Sequence, residues 1–239
     1  MNGEFPVSTA DRLELELERL ILDGEYQPGA RINENALAAR FDVSRGAVRE
    51  ACRLLQRSGL VNIVPNQGSF VCALSVAEIV SLFDVRACLG RLAGRLAAAT
   101  VTRTALQDMR DLIDAMDNAS RASDADRYIG LNIAFHATLY ATTGNAQLAT
   151  LDAQMGKQLR IYRRHGLEFG GGLTVSNVEH RSILAAIERG DCDAAGDEVE
   201  KHIANGRDRF IRAMSATGQL VLKDSVAGKT SRRRASGDQ

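Results

Sequence analysis

Histidine is the residue type in this 239-residue chain best suited to bind a metal ion, and there are four. His136, His180 and His202 fall in segments with helical hydrophobic periodicity, on or beside the apolar face. Imidazoles from three helices of one bundle can converge on a metal ion. A single histidine in such a position more often completes a core, so the residues alone leave both interpretations open. His165, within a basic stretch, is expected at the surface.

A second candidate chemistry is phosphate binding, because arginine recurs every four residues at Arg45, Arg49 and Arg53. This spacing places the three guanidinium groups on one face of a helix. Residues 31–70 hold six arginines against three acids, although the whole chain, with 30 basic and 30 acidic residues, has no net charge. A local basic patch can bind phosphate on a neutral protein. Taken by itself, the stripe also fits a solvated face of a structural helix.

The segments around these arginines follow the order helix, helix, turn, helix, hairpin. Capping residues begin the three predicted helices at Ser8, Asn33 and Ser44. Leu60–Val64 and Ser69–Ala73 are predicted strands, and the turn between them contains proline and glycine. This is the order of a winged helix-turn-helix, whose third helix enters the major groove of DNA. The sequence therefore predicts DNA binding.

The rest of the chain is predicted to be helical, because all three prolines lie in the first 65 residues and alanine and leucine dominate afterwards. The predicted fold is mainly α. A winged helix-turn-helix with a small β-hairpin wing spans residues 1–74. An all-α antiparallel bundle of six or seven helices spans 75–217, with the glycine run 170–172 as a loop. Residues 218–239 are predicted to form a disordered basic tail.

Composition narrows the class of protein further. The sequence shows no apolar run of about 20 residues and no basic-then-apolar leader, which predicts a cytoplasmic protein without membrane contact. The four cysteines are scattered without a C-x-x-C pair, and we expect them to be small buried apolar residues. They are Cys52, Cys72, Cys88 and Cys192.

An ordered set of residues in the N-terminal part matches a family pattern: Ile21-x-x-Gly24, Pro28-Gly29, Glu34-x-x-Leu37-Ala38, Val43-Ser44-Arg45, Val48-Arg49-Glu50-Ala51, Leu55, Gly59-Leu60-Val61 and Gly68-x-x-Val71. In these residues the chain resembles the GntR family of bacterial regulators. The resemblance implies that Arg45 and Arg49 contact operator DNA, with Ser44 at the helix N-terminus and Gln67 and Gly68 of the wing helping.

Two positions depart from the usual family pattern. Gly46 and Ala47 stand where the family usually carries a small polar residue and proline. Glycine removes a possible base contact and slightly weakens the helix. The operator preference at that position is therefore expected to differ.

From Ser75 to Met214 the chain resembles the ligand-binding FCD domain of the FadR branch of this family. The matching residues are Arg86, Asn132-x-x-Phe135-His136, Gly144-Asn145, Glu179-His180 and His202. The resemblance implies a divalent metal ion (zinc, nickel and manganese are not distinguished) held by Asn132, His136, His180 and His202. It also implies an organic-acid effector beside the ion.

Asn132 stands where many members carry aspartate. Because an amide oxygen is a neutral and weaker ligand than a carboxylate, we expect weaker metal retention or a stronger dependence on an anionic effector. Arg86 and, less strongly, Arg160 are candidates to pair with an effector carboxylate. An inter-domain or surface position is the alternative for Arg86, and the family's frequent glutamate four residues later is Gly90 here.

The predicted function is a transcription regulator whose operator binding is controlled by a small carboxylate-type effector, acting as a homodimer that reads two half-sites. A metal-dependent enzyme is the second hypothesis. The sequence lacks H-E-x-x-H, G-x-S-x-G and paired carboxylates, and Glu179 is expected to face a different side of its helix from His180. We therefore predict no catalytic residues. A dedicated metal sensor is the third hypothesis.

Overall fold

The computed structural model describes residues 8–168 and 172–216, with side chains for all of these except 163–168. Within these residues the fold is mainly α, as predicted. The N-terminal elements are α1 (Thr9–Leu22), β1 (Arg31–Ile32), α2 (Glu34–Arg40), α3 (Arg45–Arg57), β2 (Val61–Val64) and β3 (Gly68–Val71). The remaining helices are α4 (Val76–Thr100), α5 (Arg103–Arg121), α6 (Ala125–Thr142), α7 (Ala146–Glu168), α8 (Gly172–Glu188) and α9 (Cys192–Ala216).

Polar side chains fix the start of each helix in the N-terminal part. Ser8 and Asp11 form a reciprocal capping box at α1. The Asn33 side chain accepts from two backbone N–H groups of α2. The Ser44 hydroxyl accepts a hydrogen bond from the Ala47 backbone N–H at 3.2 Å, which starts α3. The third helix therefore begins where the sequence predicted.

The wing is a small antiparallel sheet with the strand order β1-β3-β2. Val61 pairs with Val71 and Val64 with Gly68, and the turn between them places Asn66 (φ 62°) and Gly68 (φ 105°) in the left-handed region. Strand β1, Arg31–Ile32, was not predicted, because a segment of two residues is too short to show the alternating pattern of a strand.

Cysteine burial differs from the expectation. Cys52 is fully buried in the core of the N-terminal part, where it packs with Leu17, Val48 and Leu55. Cys88 is exposed, and Cys72 and Cys192 are only partly buried. The prediction that all four are buried apolar residues is therefore wrong for Cys88, which lies on the outward side of α4.

The C-terminal bundle contains six helices in the described part of the chain, α4 to α9, with α4 and α9 in very close contact. A Cβ added at Gly94 would lie 2.7 Å from the carbonyl carbon of Ala195, and one at Gly196 would lie 2.9 Å from the carbonyl oxygen of Arg91. Glycines on both helices thus allow the backbones to approach. This approach brings the α4 side chain of Arg86 and the α9 side chain of His202 to a common cavity.

Two predictions for the bundle have a different outcome. Gly172 belongs to α8 rather than to a loop, while residues 170 and 171 lie outside the described residues. The predicted tail at 218–239 and the side chain of His165 also lie outside them. No described helix combines the length and apolar character that crossing a membrane requires.

Helix α7 joins the two parts of the molecule. Its Ile161 side chain packs against the core of the N-terminal part. The Lys157 ammonium donates to Glu18 of α1 at 2.8 Å, and the Tyr162 hydroxyl accepts from the Leu74 backbone N–H at 2.8 Å. A displacement of α7 would therefore directly change these contacts with the N-terminal part.

Candidate DNA-binding cleft and ligand cavities

An open cleft lies between α3 and the β2–β3 wing. Arg45 and Arg49 are exposed on its α3 side, and Gln67 and Gly68 lie at the tip of the wing. Ser44 is the N-cap residue of α3 and therefore lies at the start of this helix. The cleft is lined by Arg31, Ile32, Asn33, Glu34, Asn35, Arg45, Arg49, Arg53, Ile63, Val64, Pro65, Asn66, Gln67, Gly68 and Ser69.

Two of the cleft arginines are tethered by acidic neighbours. The Arg49 Nε donates to Glu34 at 2.8 Å, and Arg53 donates to Glu50 at 3.0 Å. Arg53 and Glu50 are both well exposed, and such ion pairs contribute only about 0–1 kcal/mol, whereas Glu34 is only 18% exposed. A phosphate oxygen can therefore replace the Glu50 carboxylate at low cost. The two acids hold the guanidinium groups in position, and both groups remain exposed for contact with phosphate.

The three histidines of the bundle converge as the sequence predicted. His136 from α6, His180 from α8 and His202 from α9 are all buried, and one ring nitrogen from each lies within 4.8 Å of the others. The Nε2 atoms of His136 and His202 face each other at 3.2 Å. Asn132 is buried one turn before His136, and both residues line a cavity beside the histidines.

Glu179 is part of this site, which corrects the expectation that it faces away. Its Oε2 accepts a hydrogen bond from His202 Nδ1 at 2.8 Å, and Arg209 donates to its two oxygens at 2.8 and 3.0 Å. Burial would raise the pKa of Glu179, but the bonds from His202 and Arg209 outweigh it and lower the pKa to about 2. The carboxylate is therefore ionised.

The donor set fits a divalent cation. Glu179 accepts a hydrogen bond from His202 Nδ1, so the Nε2 atom of His202 faces the space shared with His136. His180 Nδ1 is likewise 3.3 Å from the Asn177 side-chain oxygen, so the His180 atom that remains for a metal ion is Nε2. Imidazole nitrogens gathered in a buried pocket are typical ligands of zinc, nickel or other transition metals.

The space beside the histidines, here the inner cavity, has a volume of about 60 Å³. Apolar side chains form most of its wall, and the side chains of Arg86 and Arg209, each paired with a carboxylate, also border it. It is lined by Phe83, Arg86, Asn132, His136, Leu159, Tyr162, Ser176, His202, Ile203, Gly206, Arg209 and Phe210.

Arg86 is buried, so the surface alternative for this residue is wrong. Its Nε and Nη2 lie 2.9 and 2.8 Å from Oδ1 of Asp152 on α7. The pair is almost fully removed from solvent, with exposed side-chain fractions of 4% and 10%. Asp152 balances the charge of Arg86 within the bundle.

Arg160 does not share the inner cavity with Arg86. It is exposed and lines a second space of about 350 Å³, here the outer cavity, on the other side of Arg86 and His136. Both predicted effector residues therefore border the outer cavity, but of the two only Arg86 also borders the inner one. The outer cavity is lined by Glu18, Arg86, Ile133, His136, Ala137, Tyr140, Ala149, Asp152, Ala153, Gly156, Lys157 and Arg160.

Sequence reasoning missed three polar residues that line these cavities, Asp152, Tyr140 and Arg209, and gave no role to Glu179, which accepts hydrogen bonds from His202 and Arg209. Asp152 is 66 positions from Arg86, and Arg209 is 30 positions from Glu179, so no local spacing connects the partners. A usable signal existed only for Glu179, an acid adjacent to one of the three candidate histidines.

The fold and the cavities together define a winged helix-turn-helix regulator with a helical ligand-binding domain. Residues 9–71 match the family model for the gntR family of bacterial regulatory proteins, and residues 81–205 match that for the FCD domain. The chain therefore belongs to the GntR family and carries an FCD domain, the architecture expected from the FadR-branch resemblance. This is a family of transcription regulators that bind operator DNA, and not of enzymes.

Similar proteins agree with this assignment, and a solved structure shows the same fold. The chain is 31% identical to the Nta operon transcriptional regulator of Aminobacter aminovorans, over 87% of this chain and 97% of the relative. It is 28% identical to a probable D-xylose utilization operon transcriptional repressor of Paenarthrobacter nicotinovorans, over 77% and 80%. The fold is similar to E. coli McbR/YncC, with a TM-score of 0.75, 20% identity, and coverage of 86% and 98%.

Proposed function

We propose that this regulator binds operator DNA through the α3–wing cleft and that a small organic anion, bound with a divalent metal ion in the inner cavity, controls this binding. His136, His180 and His202 hold the ion, with Asn132 beside them. The observation that supports this most strongly is the convergence of three buried imidazoles from three helices. For DNA, Ser44, Arg45, Arg49, Gln67 and Gly68 are the proposed contacts.

The charge balance of the inner cavity favours an anionic effector. Arg86 is neutralised by Asp152, and Arg209 by Glu179. The three imidazoles and the Asn132 amide add no negative charge, so a divalent ion would keep its full charge in a buried site. Charge buried without compensation is costly. When bound, the metal supplies a positive centre that a carboxylate can ligate.

The size of the inner cavity favours a compact effector. A space of about 60 Å³ accommodates only a few non-hydrogen atoms beyond the metal ion. Phe83 and Phe210 would contact the apolar part of the effector, and the metal its carboxylate. We therefore propose a short-chain mono- or dicarboxylate.

Regulation is proposed to act through a homodimer in which effector binding changes the relative placement of the two N-terminal domains. We place the domain division at 74/75, where Ser75 begins α4 with a capping box. The names of the relatives, which refer to the Nta operon and to D-xylose utilization, support regulation of a single operon. As a cytoplasmic regulator, the protein would meet both its effector and its operator.

A metal-reconstitution experiment tests this function. Purified full-length protein is incubated with zinc, nickel or manganese, and bound metal is measured after gel filtration. We expect one ion per chain in the wild type and none in His180→Ala, with His165→Ala as the matched control that retains the ion. Circular dichroism verifies that the variants are folded.

A thermal-shift screen of short carboxylates then tests the effector. At a hundredfold excess over Kd a ligand stabilises the folded state by about 2.7 kcal/mol. We expect stabilisation only in the presence of metal. Absence of bound metal from the reconstituted wild type would refute the metal proposal, and a change in operator affinity caused by metal alone would favour the metal-sensor hypothesis.

A further inference from the structure

We propose that the outer cavity is a second ligand site, which binds an organic anion with an apolar body between α1, α6 and α7. This site lies on the other side of Arg86 and His136, which also line the inner cavity, and its ligand does not require a metal ion. Its volume of about 350 Å³ is within the range of small-molecule sites, which begins at about 300 Å³.

The wall of the outer cavity suits the apolar body of such a ligand. Small side chains of α6 and α7, among them Ala137, Ala149 and Ala153, leave the space open, and Ile133 adds apolar surface. Gly156 of α7 borders the same space, and a Cβ added there meets no atom within 4 Å. The space in front of Gly156 is therefore open.

A buried hydroxyl points to a polar ligand atom. Tyr140 is only 2% exposed, and its Oη makes no hydrogen bond of normal geometry with any residue in the described chain. Burial, together with the nearby Asp152 carboxylate, raises the pKa of Tyr140, so the phenol stays protonated and can donate. Buried polar groups are nearly always satisfied. The Asp152 carboxylate is an acceptor within reach of this hydroxyl, and a ligand acceptor atom in the cavity would compete with it.

The charges of the lining favour an anion. Arg86, Lys157 and Arg160 contribute three positive charges, and Glu18 and Asp152 contribute two negative ones. Arg86 forms a buried ion pair with Asp152 at the bottom of the cavity, whereas Arg160 is exposed at its mouth. The net positive charge therefore lies at the mouth, where a carboxylate or sulfonate would enter.

The position of the outer cavity links it to the DNA-binding domain. Glu18 belongs to α1 and contacts Lys157 of α7 at 2.8 Å. An anion that binds Lys157 competes with Glu18 for the same ammonium group. Occupancy would thus weaken a contact between the two domains, without any change in the histidine cluster.

The test uses 8-anilinonaphthalene-1-sulfonate, a fluorescent anion with an apolar aromatic body, titrated into the full-length protein. We expect saturable binding of one probe per chain. In Gly156→Leu the new side chain fills the cavity, and affinity should fall at least tenfold. Gly130→Leu is the matched control, because Gly130 is also in mid-helix, a Cβ there meets nothing within 4 Å, and it lies outside both cavities.

Further measurements test which side chains recognise the probe and whether its binding depends on a metal ion. Arg160→Gln, at an exposed position, should weaken the probe severalfold and reduce its salt dependence, and Tyr140→Phe should also weaken it. Added EDTA or metal should leave the affinity unchanged. Wild-type affinity in Gly156→Leu, or loss of binding with EDTA, would overturn the proposal. Wild-type affinity in Gly156→Leu would not bear on whether the histidines hold a metal ion, whereas loss of binding with EDTA would show that an ion is present near His136.

Discussion

Replacing Arg45 with glutamine is expected to weaken DNA binding through the phosphate backbone and to leave folding unchanged. Four arginines line the cleft between α3 and the wing: Arg31, Arg45, Arg49 and Arg53. Each phosphate contact contributes about 0.9 to the slope of log affinity against log salt, so four contacts give a slope of about −3.6 per domain. Removing one contact should reduce this slope by about 0.9 and lower affinity about eightfold per domain at 0.1 M salt.

The assay is fluorescence anisotropy of a labelled 30-base-pair duplex of random sequence, measured between 50 and 200 mM salt. Such a duplex isolates the sequence-independent part of binding. Arg57→Gln is the matched control, because Arg57 is exposed on the same helix but does not line the cleft. Arg49→Gln should resemble Arg45→Gln, although release of Glu34 adds a local negative charge.

An Arg45→Gln protein with the wild-type salt slope would refute the assignment of α3 to the DNA surface. An equal loss of slope in Arg57→Gln would also refute it, because the effect would then reflect net charge and not position. The unfolding temperatures of the wild type, Arg45→Gln and Arg57→Gln should agree, since these arginines are exposed and lie outside the core.

Two further predictions concern the bundle, and both are measured by urea unfolding. Gly94→Ala should destabilise the fold by about 1–3 kcal/mol, because the new Cβ would press on the backbone of Ala195, which cannot move aside. Gly90→Ala, which meets only the ends of side chains, should cost less; equal losses would contradict this account. Asp152→Ala should cost about 3–5 kcal/mol by leaving Arg86 charged and buried, and Arg86→Met combined with Asp152→Leu should recover most of it.

Local sequence signals were sufficient for the helices and the hairpin. A capping side chain, a hydrophobic period and a left-handed turn residue act over a few positions, so Ser44 could be placed at the start of α3 from the sequence alone. The short strand β1 escaped detection, because it exists only through its pairing with β3. The helical assignment of Gly172 was missed for a similar reason, since glycine by itself favours a loop.

The histidine cluster was predictable in part. The helical period placed His136, His180 and His202 on or beside apolar faces, and the family resemblance joined them into one site. The geometry that brings His136 and His202 within 3.2 Å depends on how α6 and α9 pack. That packing follows from side-chain volumes along whole helices, which no short pattern records.

The sequence by itself determined the order of elements, the arginine face of α3 and the residue types available for a metal site, because these depend on neighbours along the chain. The tertiary structure decided the partners of the buried charges. Arg86 could have faced solvent, an effector or a carboxylate, and only the approach of α7 to α4 brings Asp152 to it. It also placed Arg160 outside the inner cavity, since the two sides of one helix bundle are distinguished only once the helices are assembled.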